Sequence, residues 1–338
     1  MQASPNTRQH VLSRRAVLPL CAALLAAAAP AAWASDGKWP SQKPVTLVVG
    51  YPPAGGADTV ARLLAERLGR KYQQRFIVEN RPGAGGTIAA THVAKAPADG
   101  YTLLASASSE LTVVPAVRRA LQYNPLKDFE PVAITSQTTY LLVASPAFPG
   151  NSLQDMVAYA KANPGKLSYG SYGQNTFTHL TGELLQLLTG TELLHVPYKG
   201  SGELLPALIG NQIQLSFNSP VEVQSQIQAG RVKALVVTAP ERLKTMPTIP
   251  TSAEQKYPEL IARGWNGLMA PKGTPAAVLD ELNAAVNEIL SSPGLVQELA
   301  SRGIEPGGGS REAVRARMRD ELQRWGDLVQ KVGLPMLD

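Results

Sequence analysis

The sequence is poor in the residues on which most catalytic and metal sites depend. Its 338 residues include four histidines and one cysteine, Cys21, which lies in the N-terminal apolar segment. The rest of the chain therefore has no thiol, no disulfide and no cysteine ligand for a metal. It has no HExxH motif and no cysteine–histidine zinc spacing, and residues 170–173 miss the spacing of a Gly-x-Ser-x-Gly elbow. Nothing positive argues for catalysis, and we predict no catalytic residue, no metal and no cofactor.

A large excess of one charge is also missing. The 32 basic and 26 acidic residues leave a net charge of +6. The first 34 residues contribute three arginines and no acids, so subtracting these three from +6 leaves +3 for the remainder. No basic run with interleaved aromatic residues occurs. This composition does not support a nucleic-acid partner.

The first 34 residues have the parts of an export signal. Arginines form a basic start, residues 16–29 are apolar and rich in alanine, and a small-x-small triplet ends at Ala34. The apolar run is too short for a permanent membrane helix. We therefore predict that residues 1–34 are a signal peptide cleaved near Ala34. The adjacent Arg14 and Arg15 are only a weak indication of twin-arginine export, so the export route stays open.

The remaining chain alternates strand and helix patterns. Residues 45–49 are a β-branched apolar run typical of a strand buried in a parallel sheet, and apolar residues then recur at helical spacing over 60–68. Further predicted strands are 76–79, 101–105, 167–169, 195–198, 213–217 and 234–238, and further predicted helices are 87–95, 153–161, 177–188, 275–290 and 311–332. Residues 132–134 and 140–144 are predicted to form an extended segment that could run from one lobe into another, and residues 265–270 are a late apolar segment. This alternation predicts βαβ units and an open α/β sheet. We expect the last helix to pack on the first lobe.

The first candidate binding site is a loop rich in glycine and proline, residues 51–58 (the first loop), between a predicted strand and helix. Such a loop exposes backbone N–H groups at a helix N-terminus, where the helix dipole attracts a carboxylate or a phosphate. Its candidate ligand contacts are Tyr51, Pro53, Ala54, Gly55, Gly56 and Asp58. It is not a P-loop, because no Gly-Lys-Ser/Thr follows. Glycine loops are more often simple tight turns, and Asp58 is better explained as the cap of the helix than as a ligand contact.

A second candidate site, residues 171–179 (the second loop), also lies between a strand and a helix. Its candidate ligand contacts are Ser171, Gly173, Gln174, Thr176, Thr178 and His179. Thr176 is equally well explained as a helix cap, and His179 as a packed histidine. Because ligands of open α/β sheets bind beyond the carboxyl ends of the strands, the two loops could hold one anion from opposite sides.

Three further polar residues follow predicted strands: Ser106, Ser108 and Asn218. Their side chains could reach the same crevice, but ordinary polar loops would have the same composition. We retain them as candidate ligand contacts.

Several spaced motifs, in order, resemble the Bordetella-uptake family of periplasmic receptors, which are the binding subunits of tripartite tricarboxylate transporters. The motifs are GGADTVAR at 55–62, ENRPGAGG at 79–86, PADGYTL at 97–103, YNPLKDF at 123–129, NPGKL at 163–167, THL with GE at 178–183, and HVPYKG at 195–200. The resemblance implies an α/β, two-lobed type II periplasmic-binding fold with open mixed sheets and a two-strand hinge. It implies a monomer that binds a small carboxylate through amides and hydroxyls of the two loops, and membrane permease subunits as partners.

On this basis we expect lobe 1 at residues 35–138 plus 265–338 and lobe 2 at residues 139–264, with the hinge near 136–140 and 262–265. The sequence departs from the family pattern at Ala54, Asn175 and the pair Asn218-Ser219. Asn175 replaces a usual glycine, and asparagine can adopt the same left-handed backbone. These departures bear on the identity of the ligand and not on the fold.

The leading functional hypothesis is a carboxylate receptor that delivers its ligand to a permease. The alternatives are a sensor of the same fold that signals to a membrane kinase, and a secreted enzyme acting on a carboxylic acid. The sequence does not separate transport from sensing, because both use the same pocket. The lack of a nucleophile–base set argues against the enzyme.

Overall fold

The computed structural model describes residue 1 and residues 39–53, 55–302 and 304–337. Residues 2–34 of the predicted signal peptide and Ala54 lie outside the described residues. Contacts divide the chain into Met1–Lys38 and Trp39–Asp338, and both sheets belong to the second unit. The strands are β1 (Val45–Val49), β2 (Phe76–Asn80), β3 (Thr102–Ala107), β4 (Phe129–Thr139), β5 (Leu141–Ala144), β6 (Ser168–Ser171), β7 (Leu194–Pro197), β8 (Leu215–Asn218), β9 (Lys233–Val237), β10 (Arg263–Pro271) and β11 (Glu305–Gly308).

The α-helices of the described residues are α1 (Gly56–Tyr72), α2 (Thr87–Ala94), α3 (Val114–Val117), α4 (Leu153–Ala162), α5 (Phe177–Thr189), α6 (Ser201–Ile209), α7 (Pro220–Gln228), α8 (Ala276–Ser291), α9 (Pro293–Ser301) and α10 (Arg311–Val332). A 3₁₀ turn, Ala84–Gly86, precedes α2, and a π-helical turn, Ser109–Val113, precedes α3. None of the described helices is both long enough and apolar enough to cross a membrane.

The strands form two mixed sheets. The first has the order β11-β4-β10-β3-β1-β2, in which β1 is parallel to β2 and β3, and β10 is antiparallel to β3 and β4. The second has the order β7-β6-β8-β5-β9, in which β6 is parallel to β7 and β8, and β5 is antiparallel to β8 and β9. The predicted α/β arrangement with open mixed sheets is confirmed.

Two chain crossings connect the sheets. Strand β4 passes into β5 with only Tyr140 between them, and the return strand β10 begins opposite its end, where Arg263 pairs with Thr139. The N–H of Tyr140 donates to the carbonyl of Ala262 at 3.0 Å, and the N–H of Ala262 donates to the carbonyl of Thr238 at 2.9 Å. These backbone hydrogen bonds tie the two crossings together as a two-strand hinge. The residue boundaries of the lobes stay a prediction.

The strand pattern explains why both faces of the first sheet are covered. Val45, Leu47 and Val49 of β1 belong to one core cluster, whereas Val48 belongs to another on the opposite face. Side chains alternate across a strand, so an uninterrupted apolar run buries both faces. Helices α1 and α8 cover the first face, and α2 with the start of α10 covers the second.

Helix α10 contacts the cores of both lobes, so the expectation that it packs on the first lobe is wrong for its second half. Val314 and Met318 join the first-lobe cluster, whereas Trp325 and Leu328 join the second-lobe cluster. Its 22 residues span about 33 Å at 1.5 Å per residue, which is long enough to reach both. The buried residues recur every three or four positions, so one stripe serves both cores.

Candidate functional site

The first loop connects β1 to α1, which begins at Gly56 with Gly55 as its N-cap. The hydroxyl of Tyr51 donates to Glu110 Oε2 at 2.7 Å, and the carbonyl of Tyr51 accepts from Asn80 Nδ2 at 3.0 Å. Tyr51 is therefore held by both its side-chain hydroxyl and its backbone carbonyl, and this fixes the start of the loop. Its role as a ligand contact stays a prediction.

Asp58 is not the cap of α1, contrary to the sequence prediction. The helix starts two residues earlier, which places Asp58 in its first turn with only 2% of its surface exposed. Its carboxylate accepts from Arg62 Nε and Nη2, both at 2.9 Å, and from Asn80 Nδ2 at 2.8 Å. The side chain thus joins α1 to the end of β2 instead of closing the helix.

A fully buried carboxylate, Glu110, lies under the first loop. Besides Tyr51, it accepts from the N–H of Ala107 at 2.7 Å, and it packs against Gly86, where a Cβ would lie 2.9 Å from Glu110 Cδ. Gly86 also has a φ of +90°, which only glycine adopts without strain. Burial raises the pKa of Glu110 to about 7, against the opposing effect of its hydrogen bonds.

Ser106 and Ser108 both use their hydroxyls inside the protein. Ser106 Oγ donates to the carbonyl of Gly267 at 3.0 Å, and Ser108 Oγ accepts from the N–H of Trp265 at 3.3 Å. Both bonds tie the end of β3 to β10 beside the hinge. The structure therefore gives these serines a structural task, and ligand contact by them stays a prediction.

The second loop connects β6 to α5, with Thr176 at the N-cap position but without a capping hydrogen bond from its side chain. Its hydroxyls shape the loop itself. Ser171 Oγ and Thr176 Oγ1 both donate to the carbonyl of Gly173, at 2.9 and 2.8 Å, and Thr178 Oγ1 accepts from the N–H of Tyr172 at 3.0 Å. The hydroxyls that the sequence predicted as ligand contacts thus make hydrogen bonds within the loop and stabilise its conformation.

Two histidine rings support this loop from below. The rings of His179 and His195 stack with centroids 3.9 Å apart, and His195 Nε2 lies 2.6 Å from Ser171 Oγ. Burial, followed by the neighbouring His179, lowers the pKa of His195 to about 4. His179 Nδ1 accepts from the N–H of Asn175 at 3.0 Å. His179 is therefore packed under the loop, as the simpler sequence interpretation expected.

Asn175 and Asn218 show what the departures from the family pattern do. Asn175 has a φ of +58°, which confirms the left-handed backbone expected for it, and its Nδ2 donates to the carbonyl of Pro335 at 3.3 Å. Asn218 is fully buried and its Nδ2 donates to the hydroxyl of Tyr172 at 3.1 Å. That hydroxyl donates in turn to Glu222 Oε2 at 2.6 Å. Asn218 therefore holds the second loop to the end of β8.

Unpaired amides are the feature that the two loops share. Within the described part of the chain, no acceptor pairs with the backbone N–H groups of Gly55, Gly56 and Ala57 in the first loop. In the second loop, the same holds among the described residues for the N–H groups of Gln174, Phe177, Thr178 and His179. The first amides of any helix lack partners inside the helix and carry its positive dipole end. Each loop is therefore equipped to bind an anion.

Topology places both loops next to the hinge. At the hinge end of the first sheet, Ala107 at the end of β3 pairs with Asn266 near the start of β10. In the second sheet, Asn218 at the end of β8 pairs with Leu141 at the start of β5. Because β1 and β6 are parallel to β3 and β8, their carboxyl ends lie at the same edges. Among the described residues, no group of three or more histidine, cysteine, aspartate or glutamate side chains is placed to hold a metal ion.

Residues 60–334 match the model of the tripartite tricarboxylate transporter family receptor, TctC. The chain belongs to this family. The protein BugT of Bordetella pertussis is 35% identical over 318 residues, which cover 94% of this chain and 97% of BugT. The Rpa4515 protein of R. palustris, solved with adipate, is 35% identical with a TM-score of 0.76, covering 89% of this chain and 100% of that one. MatC of Rhodopseudomonas palustris, solved with bound malate, is 32% identical with a TM-score of 0.72, covering 86% and 99%.

These similarities confirm the family resemblance of the spaced motifs, and with it the two-lobed fold of this receptor family. The periplasmic binding protein BugD is a further structural relative, with 32% identity and a TM-score of 0.72 over 88% of this chain and 99% of BugD. The individual ligand contacts proposed for this TctC-family chain are a separate matter, and they stay predictions.

The receptor also has a cavity of about 780 Å³ that contains none of the predicted contacts. It is lined by α7 and residues 239–245 on one side, by α9 and the start of β11 on the other, and by Thr139 and Arg263 of the hinge. In the first sheet β11 lies on one side of the hinge strands and β1 on the other, and in the second sheet β9 and β6 lie on opposite sides of β5. No described residue of the first or second loop lines this cavity. No sequence motif marks its lining.

Proposed function

We propose that this chain is a periplasmic receptor that captures a small carboxylate between its two lobes and delivers it to a membrane permease. The observation that carries the proposal is the pair of loops with unpaired amides at the N-termini of α1 and α5. Neither residues 51–58 nor residues 171–179 contain a lysine or arginine, so backbone N–H groups and helix dipoles supply the positive potential. The related structures with adipate and with malate are consistent with a carboxylate ligand.

The mechanism follows from the hinge. The ligand touches the first loop on one lobe and the second loop on the other, so all of its contacts exist only when the lobes are closed. A ligand shifts a conformational equilibrium by the difference in its affinity for the two states. Binding therefore selects the closed form, and the closed form is what the permease recognises. No chemical step on the ligand is involved.

The remaining parts of the proposal come from the sequence. Residues 1–34 direct export and are removed near Ala34, and the receptor acts as a monomer with lobe 1 at residues 35–138 plus 265–338 and lobe 2 at residues 139–264. In the first loop we assign ligand contact to Tyr51, Pro53, Ala54, Gly55, Gly56 and Asp58, in the second to Ser171, Gly173, Gln174, Thr176, Thr178 and His179, and beside them to Ser106, Ser108 and Asn218.

Thermal unfolding against a panel of carboxylates tests the function directly. The protein is unfolded, freed of co-purified ligand and refolded, then heated with acidic amino acids, dicarboxylates, tricarboxylates and aromatic acids. A ligand at about 100 times its Kd adds roughly 2.7 kcal/mol to the free energy of unfolding, a shift of several degrees. We expect one acid to raise the midpoint while its amide does not. Refolded protein that responds to no carboxylate contradicts the proposal.

Replacing Ser171 or Thr176 by alanine is expected to weaken carboxylate binding about two- to tenfold, because each hydroxyl holds the second loop at Gly173. One such hydrogen bond is worth about 0.5–1.5 kcal/mol net. Isothermal titration calorimetry measures the affinity, and the far-UV spectrum checks the fold. Ser291→Ala removes an exposed helical hydroxyl as the control and should bind like the wild type. Unchanged affinity in both loop variants would exclude this loop from the site.

A further inference from the structure

Five side chains form a connected group beneath the second loop: Tyr169, Ser171, His179, Glu183 and His195. The hydroxyl of Tyr169 donates to Glu183 Oε1 at 2.7 Å, and the same oxygen lies 3.5 Å from His179 Nε2. The ring of His195 stacks on that of His179 and lies against the ring of Tyr169, with centroids 5.0 Å apart. His179 is only 2% exposed. The group is therefore a packed support whose geometry depends on both rings.

The hydrogen bonds assign a tautomer to each ring. Because the N–H of Asn175 donates to His179 Nδ1, this nitrogen carries no proton, and the proton of the neutral ring is on Nε2, facing Glu183. The single proton of the Ser171 hydroxyl goes to the carbonyl of Gly173, so His195 Nε2 is the donor in its contact with Ser171. Each ring thus holds one residue of the second loop through a single nitrogen.

Protonation of His179 would undo this arrangement. A proton on Nδ1 leaves the N–H of Asn175 facing an N–H group, without its acceptor. It also puts a cation at the N-terminus of α5, where the helix dipole is already positive, and against a second imidazole. Glu183 favours the protonated ring, but its negative charge also offsets the new positive charge. The carboxylate ligand is therefore attracted little more strongly than before, while the second loop loses its hydrogen-bond acceptor.

We propose that His179 is a positioning residue that holds the second loop in its binding conformation only while its ring is uncharged, so that carboxylate affinity falls as the solution is acidified. This inference rests on the proposed function, since it concerns the affinity of the same site. His195 is the uncharged stacking partner that keeps the ring in place.

The groups that face His179 determine whether acidification raises or lowers the affinity for a carboxylate. They are Glu183 on its own helix, His195 on β7 and Tyr169 on β6, whose hydroxyl also lies 3.4 Å from the carbonyl of His179. Burial by itself raises the pKa of Glu183, but hydrogen bonds from His179 and Tyr169 outweigh it, so the pKa lies below its usual value and the carboxylate stays ionised. The pKa of His195, at about 4, keeps that ring neutral.

The test compares ligand affinity at about pH 7.5 and about pH 5.5, the range in which histidine takes up a proton. For the wild type we expect the Kd of a carboxylate that is fully ionised at both pH values to rise severalfold on acidification, since only the fraction with an ordered loop binds. In His179→Gln, an amide oxygen that does not titrate replaces Nδ1 as the acceptor. The ratio of the two Kd values should then fall to near one, whatever the absolute affinity.

His92→Gln is the matched control, because His92 lies on α2 in the other lobe and should leave the wild-type ratio in place. A ratio near one in the wild type, or an equal ratio in His179→Gln and His92→Gln, would overturn the inference while leaving carboxylate binding intact. No binding by the wild type at either pH would overturn the proposed function instead. Nitrogen-15 spectra of the free wild-type protein supply a readout that needs no ligand: we expect an unprotonated His179 Nδ1 at about pH 7.5, and a protonated Nδ1 there would also overturn the inference.

Discussion

Replacing Trp325 by alanine is expected to lower the free energy of unfolding by about 3–5 kcal/mol, the range for large aromatic residues in a core. Trp325 is fully buried, and its ring meets that of Phe177 edge-on with centroids 5.7 Å apart. Although it lies on the C-terminal helix, it packs in the core of the second lobe, while Val314 and Met318 pack in the first. Truncation therefore opens a cavity and also loosens the helix that joins the two cores. Urea denaturation measures the loss.

Two further variants make this prediction specific. Trp325→Phe keeps most of the ring and removes an indole N–H that has no acceptor among the described residues, so it should cost far less than the alanine variant. Tyr159→Ala removes an aromatic ring that is 37% exposed, and it should cost about 1 kcal/mol or less. A loss for Trp325→Ala that matches Tyr159→Ala would show that α10 is not part of the second core.

Replacing Glu110 by glutamine is expected to remove a large dependence of stability on pH. Burial raises the pKa of Glu110 from its ordinary 4.5 to about 7. A carboxyl with a raised folded-state pKa contributes stability that is complete below its unfolded pKa and is lost as the pH rises through the folded pKa. The difference amounts to roughly 3 kcal/mol, at 1.36 kcal/mol per unit. Between about pH 4.5 and about pH 8, the wild type should therefore lose this much stability relative to Glu110→Gln.

Glutamine suits the site because the hydroxyl of Tyr51 can turn from donor to acceptor, and the remaining oxygen still accepts from the N–H of Ala107. Urea midpoints at several pH values give the two stability curves, which should meet at acid pH and separate above neutrality. Glu66→Gln, at an exposed carboxylate on α1, is the control and should follow the wild type. Parallel curves for the wild type and Glu110→Gln would mean that Glu110 is not titrating between its ordinary range and neutrality.

Most elements of the fold could be predicted because their signals are local. The bounds predicted for residues 45–49 and 311–332 coincide with β1 and α10, where the apolar pattern is regular and the flanking turns are clear. Helices α6, α7 and α9 were missed, since each is only nine residues long and contains proline inside or at its start. Strand β11 reads EPGG and has no strand-forming residue, so only its pairing with β4 makes it a strand.

The candidate site was predictable as a pair of loops but not in its details. Composition and position indicated two helix N-termini, and in the structure their first amides have no acceptor among the described residues. The sequence also suggests several hydroxyls and Asp58 as ligand contacts, whereas the structure gives each of these groups a partner in the protein. Glu110 could not be predicted, because a single glutamate after a strand has no sequence pattern that indicates burial.

By itself, the sequence determined the order of most strands and helices, the two loops at helix N-termini and the receptor family, because periodicity, turn composition and motifs act over a few neighbouring residues. Only the tertiary structure decided which polar groups are free to bind a ligand and which are hydrogen-bonded within the protein. Glu110 reaches Tyr51 across 59 positions, His195 reaches Ser171 across 24, and Asn175 reaches Pro335 across 160. A hydrogen bond depends on distance and angle in space, and no local pattern encodes a partner so far along the chain. The position of the two loops thus follows from the local sequence, whereas the hydrogen bonds that hold their conformation form only when distant parts of the chain pack together.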